Sequence, residues 1–208
     1  MTDTPPFRTV ESRRPFKGKV VTVRTDRIAD DDGRTSDREV VEHPGAVAAL
    51  VVDEHGRVVL VEQWRHAVGA RVLEVAAGKY DVDGEPMEEA IRRELAEELG
   101  VEGGTLTWLA SFYTTPGWSD EMLDLYLAEG VSAIEGGAPA ADWEEQDLEV
   151  VRLPFEEAVR RATSPPCDAK TLVALGLYGL RLAGLWTPDQ ADRPPPDAPA
   201  RRAAARPS

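Results

Sequence analysis

The order of strand-like and helix-like segments predicts an α/β sandwich, in which a β-sheet carries helices on both of its faces. Several short apolar runs have the length and composition of strands, one helical segment lies among them, and two more follow them. Runs that are apolar throughout need cover on both sides, which helices packed on either face of the sheet provide. Two alternating segments near the N-terminus predict a β-hairpin in addition to the sandwich.

Residues 1–43 are predicted to form an N-terminal segment ahead of the main domain. Residues 1–15 are polar and contain prolines, so we expect them to be loosely held. Residues 17–27 and 38–43 alternate as strands do, and the intervening ADDDGRTSD has the Asp and Gly content of a turn. The two strands are therefore expected to pair as a hairpin.

Residues 44–185 are predicted to form the main domain, which begins with a second hairpin. Its two strands, residues 45–52 (GAVAALVV) and 58–63 (VVLVEQ), are joined by DEHGR, in which Gly56 suits the turn. Because both runs are so apolar, we expect both faces of these strands to be covered. Further strands are predicted at residues 71–76, 105–113, 121–127 and 147–153.

Three helices complete the predicted main domain. For residues 86–99, Pro86 lies in the first turn and Gly100 follows the last, an arrangement favoured at the two ends of a helix. Residues 154–162 are amphipathic, and residues 168–185 form a longer and more apolar helix.

Composition limits the classes of partner and location. The 208 residues are 42% hydrophobic and 30% charged, which is ordinary for a globular protein, and the net charge of −14 argues against nonspecific binding to nucleic acid or to an anionic membrane. The single cysteine, Cys167, excludes an intrachain disulfide framework and fits a reducing compartment. Without a transmembrane run or a signal-peptide core, a cytoplasmic location is expected. Residues 186–208, rich in proline, alanine and arginine, are expected to be a disordered tail.

The helix at residues 86–99 concentrates acid on one face. At about 100° per residue, Glu97 and Glu98 lie about 60° and 40° to either side of Glu94, within the roughly 5–6 Å at which such neighbours interact. Like charges repel at this spacing, and an acid beside a buried stripe is costly unless a cation meets it. A divalent cation such as Mg²⁺, which takes oxygen ligands, would satisfy all three. The alternative is a solvated acidic helix whose glutamates pair with Arg92 and Arg93.

Residues 78–101, GKYDVDGEPMEEAIRRELAEELGV, resemble the Nudix box. The matching elements are REL-AEE-LG from Arg93 to Gly100, Glu85 eight positions before Arg93, and Gly78 upstream. Six residues separate Gly78 from Glu85 where the usual box has five, but an extra turn residue leaves the helix register intact. The resemblance implies a Nudix-type α/β/α sandwich with a mixed sheet. It also implies hydrolysis of a nucleoside diphosphate linked to another moiety, with Mg²⁺ or Mn²⁺.

The same resemblance implies roles for residues of the box. Glu94, Glu97 and Glu98 would ligate the metal together with the backbone carbonyl of Ala77, and Glu98 would thereby be catalytic. Arg93 would hold a box glutamate in position, with Glu85 as a partner in that network.

Segments outside the box resemble the branch of this family that hydrolyses ADP-ribose. They are REVVEH (38–43), QWR (63–65), LEVAAG (73–78), PGWSDE (116–121) and DAKTLVAL (168–175). In LEVAAG an alanine, Ala76, stands where proline is usual, and it can adopt the same extended backbone. The resemblance implies a homodimer whose N-terminal hairpin crosses to the partner and helps to bind adenine.

Five residues are candidates for substrate binding. Arg65 matches an arginine that grips the phosphates, and Glu121 matches an acid that binds substrate hydroxyls. Arg38 lies in the hairpin segment, and Trp64 and Trp118 could stack on a base. For Arg65 a surface role, and for each tryptophan ordinary packing, remain alternatives.

The acidic loop DWEEQD, residues 142–147, matches the loop that supplies the general base in this branch. It offers Glu144 and Glu145, of which we favour Glu145. A loop without a catalytic role is the alternative.

The sequence therefore predicts hydrolysis of ADP-ribose to AMP and ribose 5-phosphate. The alternatives are a Nudix hydrolase of another ADP-sugar or NDP-sugar, and a noncatalytic module that binds ADP-ribose. The complete REL-AEE-LG opposes the binding module, because such a module needs no complete metal cluster.

Overall fold

The computed structural model describes residues 5–80, 84–135 and 147–187. In chain order its strands and helices are β1 (Arg8–Lys17), β2 (Thr22–Ala29), β3 (Thr35–Glu42), β4 (Ala46–Val52), β5 (Val58–Arg65), β6 (Ala70–Glu74), β7 (Ala76–Lys79), α1 (Met87–Leu99), β8 (Val101–Tyr113), β9 (Met122–Ala133), β10 (Glu149–Leu153), α2 (Phe155–Ala162) and α3 (Ala169–Leu182). No helix among the described residues is both long and apolar enough to span a bilayer.

The chain divides into two compact units. The N-terminal unit comprises Met1–Gly45 and Tyr113–Met122, and the sandwich unit comprises Ala46–Phe112 and Leu123–Ser208. The segment Tyr113–Met122, which contains PGWSDE, thus belongs with the N-terminal strands, although it lies far from them in the sequence.

The N-terminal unit contains a three-stranded antiparallel sheet in the order β1-β2-β3. Strands β2 and β3 form the predicted hairpin, paired from Thr22 opposite Glu42 to Ala29 opposite Thr35. The expectation that residues 1–15 are loosely held is wrong from Arg8 onward, because β1 pairs along β2.

Polar pairs between strands account for this additional strand. Ser12 donates a hydrogen bond to the buried Asp26 at 2.7 Å, and Arg14 makes two hydrogen bonds of 2.9 Å to Glu42. Residues 18–21 turn between β1 and β2, so the predicted strand at residues 17–27 begins later than expected.

The sandwich unit is built on a seven-stranded mixed sheet. Its order is β10-β5-β4-β9-β8, with β6 also paired to β5 and β7 also paired to β4. Strands β4 and β9 are parallel, whereas β4 pairs antiparallel with β5 and with β7. The predicted mixed sheet is confirmed.

Central strand β4 shows why the sheet is covered on both faces. All seven of its residues are buried. Leu50 and its alternate neighbours pack in one core cluster with residues of α2 and α3. Val51 and its alternate neighbours pack in another with residues of α1. Burying a single Val or Leu side chain contributes about 1.5–3 kcal/mol, so the two clusters hold the helices on opposite faces.

The predicted helices are close to those observed. Helix α1 ends at Gly100, whose φ of 64° lies in the left-handed region that glycine adopts without strain. Helix α3 begins after Asp168, whose side chain accepts a hydrogen bond from the Thr171 N–H. Residues 188–208 of the predicted tail lie outside the described residues.

Strands β6 and β7 lead the chain into the site. Strand β6 ends at Glu74 on the β5 side of the sheet, and β7 pairs with β4 from Ala76 opposite Ala49 to Lys79 opposite Ala46. The LEVAAG segment thus passes from β5 to the neighbouring central strand β4 before helix α1 begins.

Candidate active site

Arg93 joins the acidic residues of the box. Its Nη1 donates to Glu94 at 2.7 Å and to Glu97 at 3.1 Å, while its Nε and Nη2 each donate to Glu85 at 3.2 Å. Glu85 and Glu94 raise the pKa of Arg93, with the hydrogen bond to Glu85 as the largest cause. The predicted contact between Arg93 and Glu85 is therefore present. Arg92 instead donates to backbone carbonyls at Gly103 and Gly104.

Glu98 is half-buried on helix α1, whereas Glu94 is only 7% exposed. The Oε2 atom of Glu98 accepts a hydrogen bond of 3.1 Å from the Ala77 N–H, so the structure brings these two predicted residues together. Burial raises the pKa of Glu98 to about 8; the Ala77 hydrogen bond and the charges of Arg65 and Lys170 lower it, and the charge of Glu94 raises it. Without a bound cation, Glu98 is therefore protonated near neutral pH.

Gly78 allows the loop backbone to approach helix α1. A Cβ atom at this position would lie 1.8 Å from the carboxyl carbon of Glu94 and 1.9 and 2.2 Å from its two oxygens. A side chain at this position would force the Glu94 carboxyl group to move, so the first glycine of the box preserves the close contact between the loop and Glu94.

The donor set suits a hard divalent cation, although its ligands are not assembled. Among residues 5–80, 84–135 and 147–187, no group of three or more His, Cys, Asp or Glu side chains is arranged to hold a metal ion. Arg93 instead engages Glu94 and Glu97. The raised pKa of Glu98 means that a cation would compete with a proton for this carboxyl group, and carboxylate and carbonyl oxygens are the ligands that Mg²⁺ prefers.

Arg65, at the end of β5, faces a buried carboxylate that the sequence reading did not single out. Its Nε and Nη2 donate to the two oxygens of Glu74 at 2.6 and 2.7 Å, and Glu74 is only 2% exposed. Lys170 also pairs with Glu74, and its Nζ lies 3.1 Å from Asp168. We call these four residues the Glu74 network. The sequence signal for it was an acid within the apolar run LEVAA.

The two candidate tryptophans belong to different units. Trp64 in the sandwich unit is 52% exposed, and its backbone N–H donates to Asp147 at 2.9 Å. Trp118 in the N-terminal unit is 56% exposed, and its carbonyl accepts from the Val41 N–H at 2.8 Å. About half of the surface of each tryptophan is thus exposed, so neither residue is buried in a core.

Arg38 and Glu121 are the other substrate-binding candidates in the N-terminal unit, and they differ in how firmly neighbouring residues hold them. Arg38 is exposed on β3 and donates to Ser36 at 2.7 Å. Glu121 accepts a hydrogen bond of 2.6 Å from Thr114 and lies 3.6 Å from Nδ1 of His43. Glu121 is therefore oriented by its neighbours, whereas Arg38 projects from the sheet.

The predicted general bases, Glu144 and Glu145, lie outside the described residues. Asp147, which follows them, accepts hydrogen bonds from the Trp64 N–H and from Arg71 at 2.9 and 2.8 Å. The C-terminal end of the acidic loop is thereby fixed beside the end of β5, one residue from Arg65.

Comparison with known proteins identifies the family. The model of the NUDIX domain matches residues 42–175, more than half of the chain. The chain belongs to the Nudix family. This confirms the predicted family. It also confirms the predicted enzyme class, a Nudix pyrophosphohydrolase. Enzymes of the Nudix family generally require a divalent cation.

Three relatives are similar over most of the Nudix chain. The methanol dehydrogenase activator of Bacillus methanolicus is 36% identical over 177 residues, which cover 85% of this chain and 94% of the relative. The ADP-ribose pyrophosphatase of Mycobacterium tuberculosis is 40% identical over 155 residues, 74% of each chain. The ADP-ribose pyrophosphatase of Bacillus subtilis is 35% identical over 177 residues, 85% of this chain and 94% of the relative.

A solved structure confirms the Nudix fold. The crystal structure of an ADP compounds hydrolase superposes with a TM-score of 0.73 and covers 89% of this chain and 100% of its own. Its sequence identity is 19%, so this likeness concerns the fold alone.

Proposed function

We propose that this Nudix protein hydrolyses the pyrophosphate bond of ADP-ribose to AMP and ribose 5-phosphate with the help of Mg²⁺. The observation that carries the proposal is the box itself: Arg93 bonds Glu85, Glu94 and Glu97, and Glu98 of the same helix accepts a hydrogen bond from the Ala77 N–H. The charges of Arg65 and Lys170 reach Glu98, so ligands for a cation and a guanidinium for phosphate occur in the same part of the sandwich unit. The two relatives named ADP-ribose pyrophosphatase support ADP-ribose as the substrate.

Residues of the box would hold the metal. Glu94, Glu97, Glu98 and the Ala77 carbonyl would supply oxygen ligands. Bound Mg²⁺ would neutralise charge on the pyrophosphate and favour attack by water. Arg93 contacts Glu85, Glu94 and Glu97 and would keep the carboxylates that it bonds in fixed positions. Mn²⁺ is an alternative ion for the same ligands.

Arg65 would bind the phosphates. Guanidinium groups suit phosphate because their planar N–H donors match two oxygens at once. Among the hydrogen bonds of the described residues, Nη1 of Arg65 has no acceptor, while Nε and Nη2 are taken by Glu74. Both N–H groups of Nη1 and the second N–H of Nη2 thus remain for substrate.

The residues proposed for the nucleoside and ribose are Trp64 of the sandwich unit and Trp118, Glu121 and Arg38 of the N-terminal unit. Trp64 and Trp118 present exposed aromatic rings, and stacking on such a ring contributes about 1–3 kcal/mol per base. Glu121 would accept hydrogen bonds from ribose hydroxyls, and Arg38 would contact the adenine side in a homodimer. Glu145, or alternatively Glu144, would deprotonate the attacking water.

The test is a substrate panel with the full chain. Purified protein is incubated with Mg²⁺ and ADP-ribose, ADP-glucose, GDP-mannose or NADH, and the released nucleoside monophosphate is measured. We expect ADP-ribose to be cleaved with the highest kcat/KM, and EDTA to abolish the reaction. Efficient cleavage of another NDP-sugar with ADP-ribose untouched would contradict the proposed substrate. Tight binding of ADP-ribose without any turnover would favour the noncatalytic module.

A further inference from the structure

The Glu74 network is a buried ion-pair cluster with one exposed member. The side chains of Glu74 and Lys170 are 3% and 13% exposed, whereas that of Arg65 is 43% exposed. Its interior therefore consists of an anion and a cation withdrawn from water, and its outward group is the guanidinium proposed to bind phosphate.

The network is fixed to the backbone at two places. Asp168 caps helix α3 and accepts hydrogen bonds from the Thr171 N–H and hydroxyl at 2.9 and 2.6 Å. The Thr171 hydroxyl, fully buried, also accepts a hydrogen bond of 2.8 Å from the Val75 N–H. The residue next to Glu74 is thus bound to the first turn of α3, which also carries Lys170.

Lys170 balances a charge that would otherwise be costly. A buried carboxylate is disfavoured unless cations and hydrogen bonds compensate it. Burial raises the pKa of Glu74, but the Arg65 hydrogen bonds and the charges of Lys170 and Arg65 lower it below its ordinary value overall. Glu74 is therefore an anion at neutral pH, and two cations share it.

Arg65 needs such a partner because of its place in the chain. It is the last residue of β5, it is followed by the turn at residues 66–69, and its side chain is 43% exposed. Two hydrogen bonds to one rigid carboxylate fix both the position and the plane of the guanidinium. Orientation matters for phosphate, because the donors must match the oxygens in direction.

We propose that Glu74 is a positioning residue for Arg65. The carboxylate, with Lys170 as its second cation, holds the guanidinium so that Nη1 is presented to the substrate phosphates. Glu74 itself does not touch the substrate. This inference rests on the proposed function, because it assigns Arg65 to the pyrophosphate.

A double-mutant cycle tests the proposal in the full chain with Mg²⁺. The kcat and KM for ADP-ribose are measured for wild type, Glu74→Gln, Arg65→Ala and the double variant. Glutamine keeps the size of the side chain but presents an N–H₂ group to one of the two Arg65 donors. We expect Glu74→Gln to lower kcat/KM at least about fivefold, mainly through KM, and the double variant to match Arg65→Ala within about twofold. If the fold-losses in kcat/KM of the two single variants multiply in the double variant, the proposal is overturned. Glu74 would then affect the reaction independently of Arg65.

Two further variants separate positioning from folding. Glu62→Gln is the matched control: Glu62 lies on the same strand as Arg65 but pairs with Arg161 and Arg71, so we expect its kinetics to equal those of wild type. Glu74→Asp keeps the charge on a shorter side chain. We therefore expect its KM for ADP-ribose to lie between that of wild type and that of Glu74→Gln. If Glu74→Gln does not fold, Glu74→Asp replaces it in the cycle. Equal losses for Asp and Gln, or a loss in Glu62→Gln of the same size, would contradict a specific role for Glu74.

Binding without turnover supplies a second readout. In excess EDTA the affinity for ADP-ribose is measured by calorimetry, and we expect Glu74→Gln and Arg65→Ala to weaken it similarly. These measurements distinguish failure of the proposed hydrolysis of ADP-ribose from failure of the proposed role of Glu74. A wild-type protein that cleaves no compound of the panel refutes the proposed function. An active wild-type protein whose cycle is additive refutes only the role of Glu74.

Discussion

The environment of Glu98 departs from that of an ordinary surface glutamate. It is half-buried, it accepts a hydrogen bond from the Ala77 N–H, and removal from water raises its pKa to about 8. A carboxyl group in this state serves no packing function that glutamine could not serve. What distinguishes Glu98 from glutamine at this position is therefore its ability to ionise.

Replacing Glu98 by glutamine should depress kcat for ADP-ribose by about two to three orders of magnitude, since it removes a charged ligand and keeps the shape. Circular dichroism and the melting temperature should stay close to those of wild type. Glu89→Gln, an exposed residue of the same helix, is the control and should retain full activity. Near-wild-type turnover of Glu98→Gln would remove the argument for a metal site.

Binding of the metal should release a proton below pH 8. A pKa of about 8 means that Glu98 is protonated at pH 6.5 in the metal-free protein, whereas a metal ligand must be ionised. Affinity for Mg²⁺ should therefore rise with pH up to about 8. Calorimetric titration with Mg²⁺ at pH 6.5 in two buffers of different ionisation enthalpy measures the release. In Glu98→Gln we expect the release to disappear, and equal release in both proteins would contradict this assignment.

Gly78→Ala should impair the site through space alone. The new methyl group would overlap the Glu94 carboxyl group at 1.8 Å, so either the loop or Glu94 must move. We expect a loss of about 1–3 kcal/mol in the free energy of unfolding and a large fall in kcat/KM. Gly176→Ala is the control, because a Cβ in that exposed position of α3 meets nothing within 4 Å. The control should be neutral or slightly stabilising in urea unfolding.

At the scale of elements, the sequence predicted what local signals determine. Helix α1 was found within one residue because proline and glycine mark its ends. Strand β1 was missed, since its pairing depends on Ser12 with Asp26 and Arg14 with Glu42 rather than on apolar alternation. Such pairs join residues 14 and 28 positions apart, and no local pattern identifies the partners.

The ion pairs between β6 and α3 predict a dependence of stability on pH. The pKa of Glu74 lies below its ordinary value of about 4.5 because hydrogen bonds and cations outweigh burial. A folded-state pKa below the unfolded one gives stability that is fully present above about pH 4.5 and is lost as pH falls through the folded value. Urea unfolding between pH 7 and pH 3 should show this loss in wild type.

Glu74→Gln should have a smaller acid-induced loss of unfolding free energy than wild type, because its side chain does not titrate. Glu62→Gln is again the control, and it should follow the wild-type profile. Parallel profiles for wild type and Glu74→Gln would show that Glu74 does not carry this pH dependence.

At the scale of the molecule, the family and fold could be predicted from one long motif, whereas the pairing of distant strands could not. The parallel pairing of β4 with β9 joins Ala46 to Leu123, and only the folded sheet shows it. The same limit applies to the site. The box residues lie close in sequence and were predicted together, but Arg65, Glu74 and Lys170 meet through three separate elements.

The cap of helix α3 gives the molecule a means of reporting ligand binding by amide deuterium exchange. The Thr171 N–H is bonded to Asp168, and the Val75 N–H to the Thr171 hydroxyl, so both amides exchange only when this turn opens. ADP-ribose held by Arg65 would stabilise the Glu74 network and slow that opening. In EDTA we expect saturating ADP-ribose to slow exchange at these two amides by about tenfold, and to have no such effect in Arg65→Ala. Binding at the end of β5 would then slow exchange in the first turn of α3, which packs on the face of the sheet opposite α1.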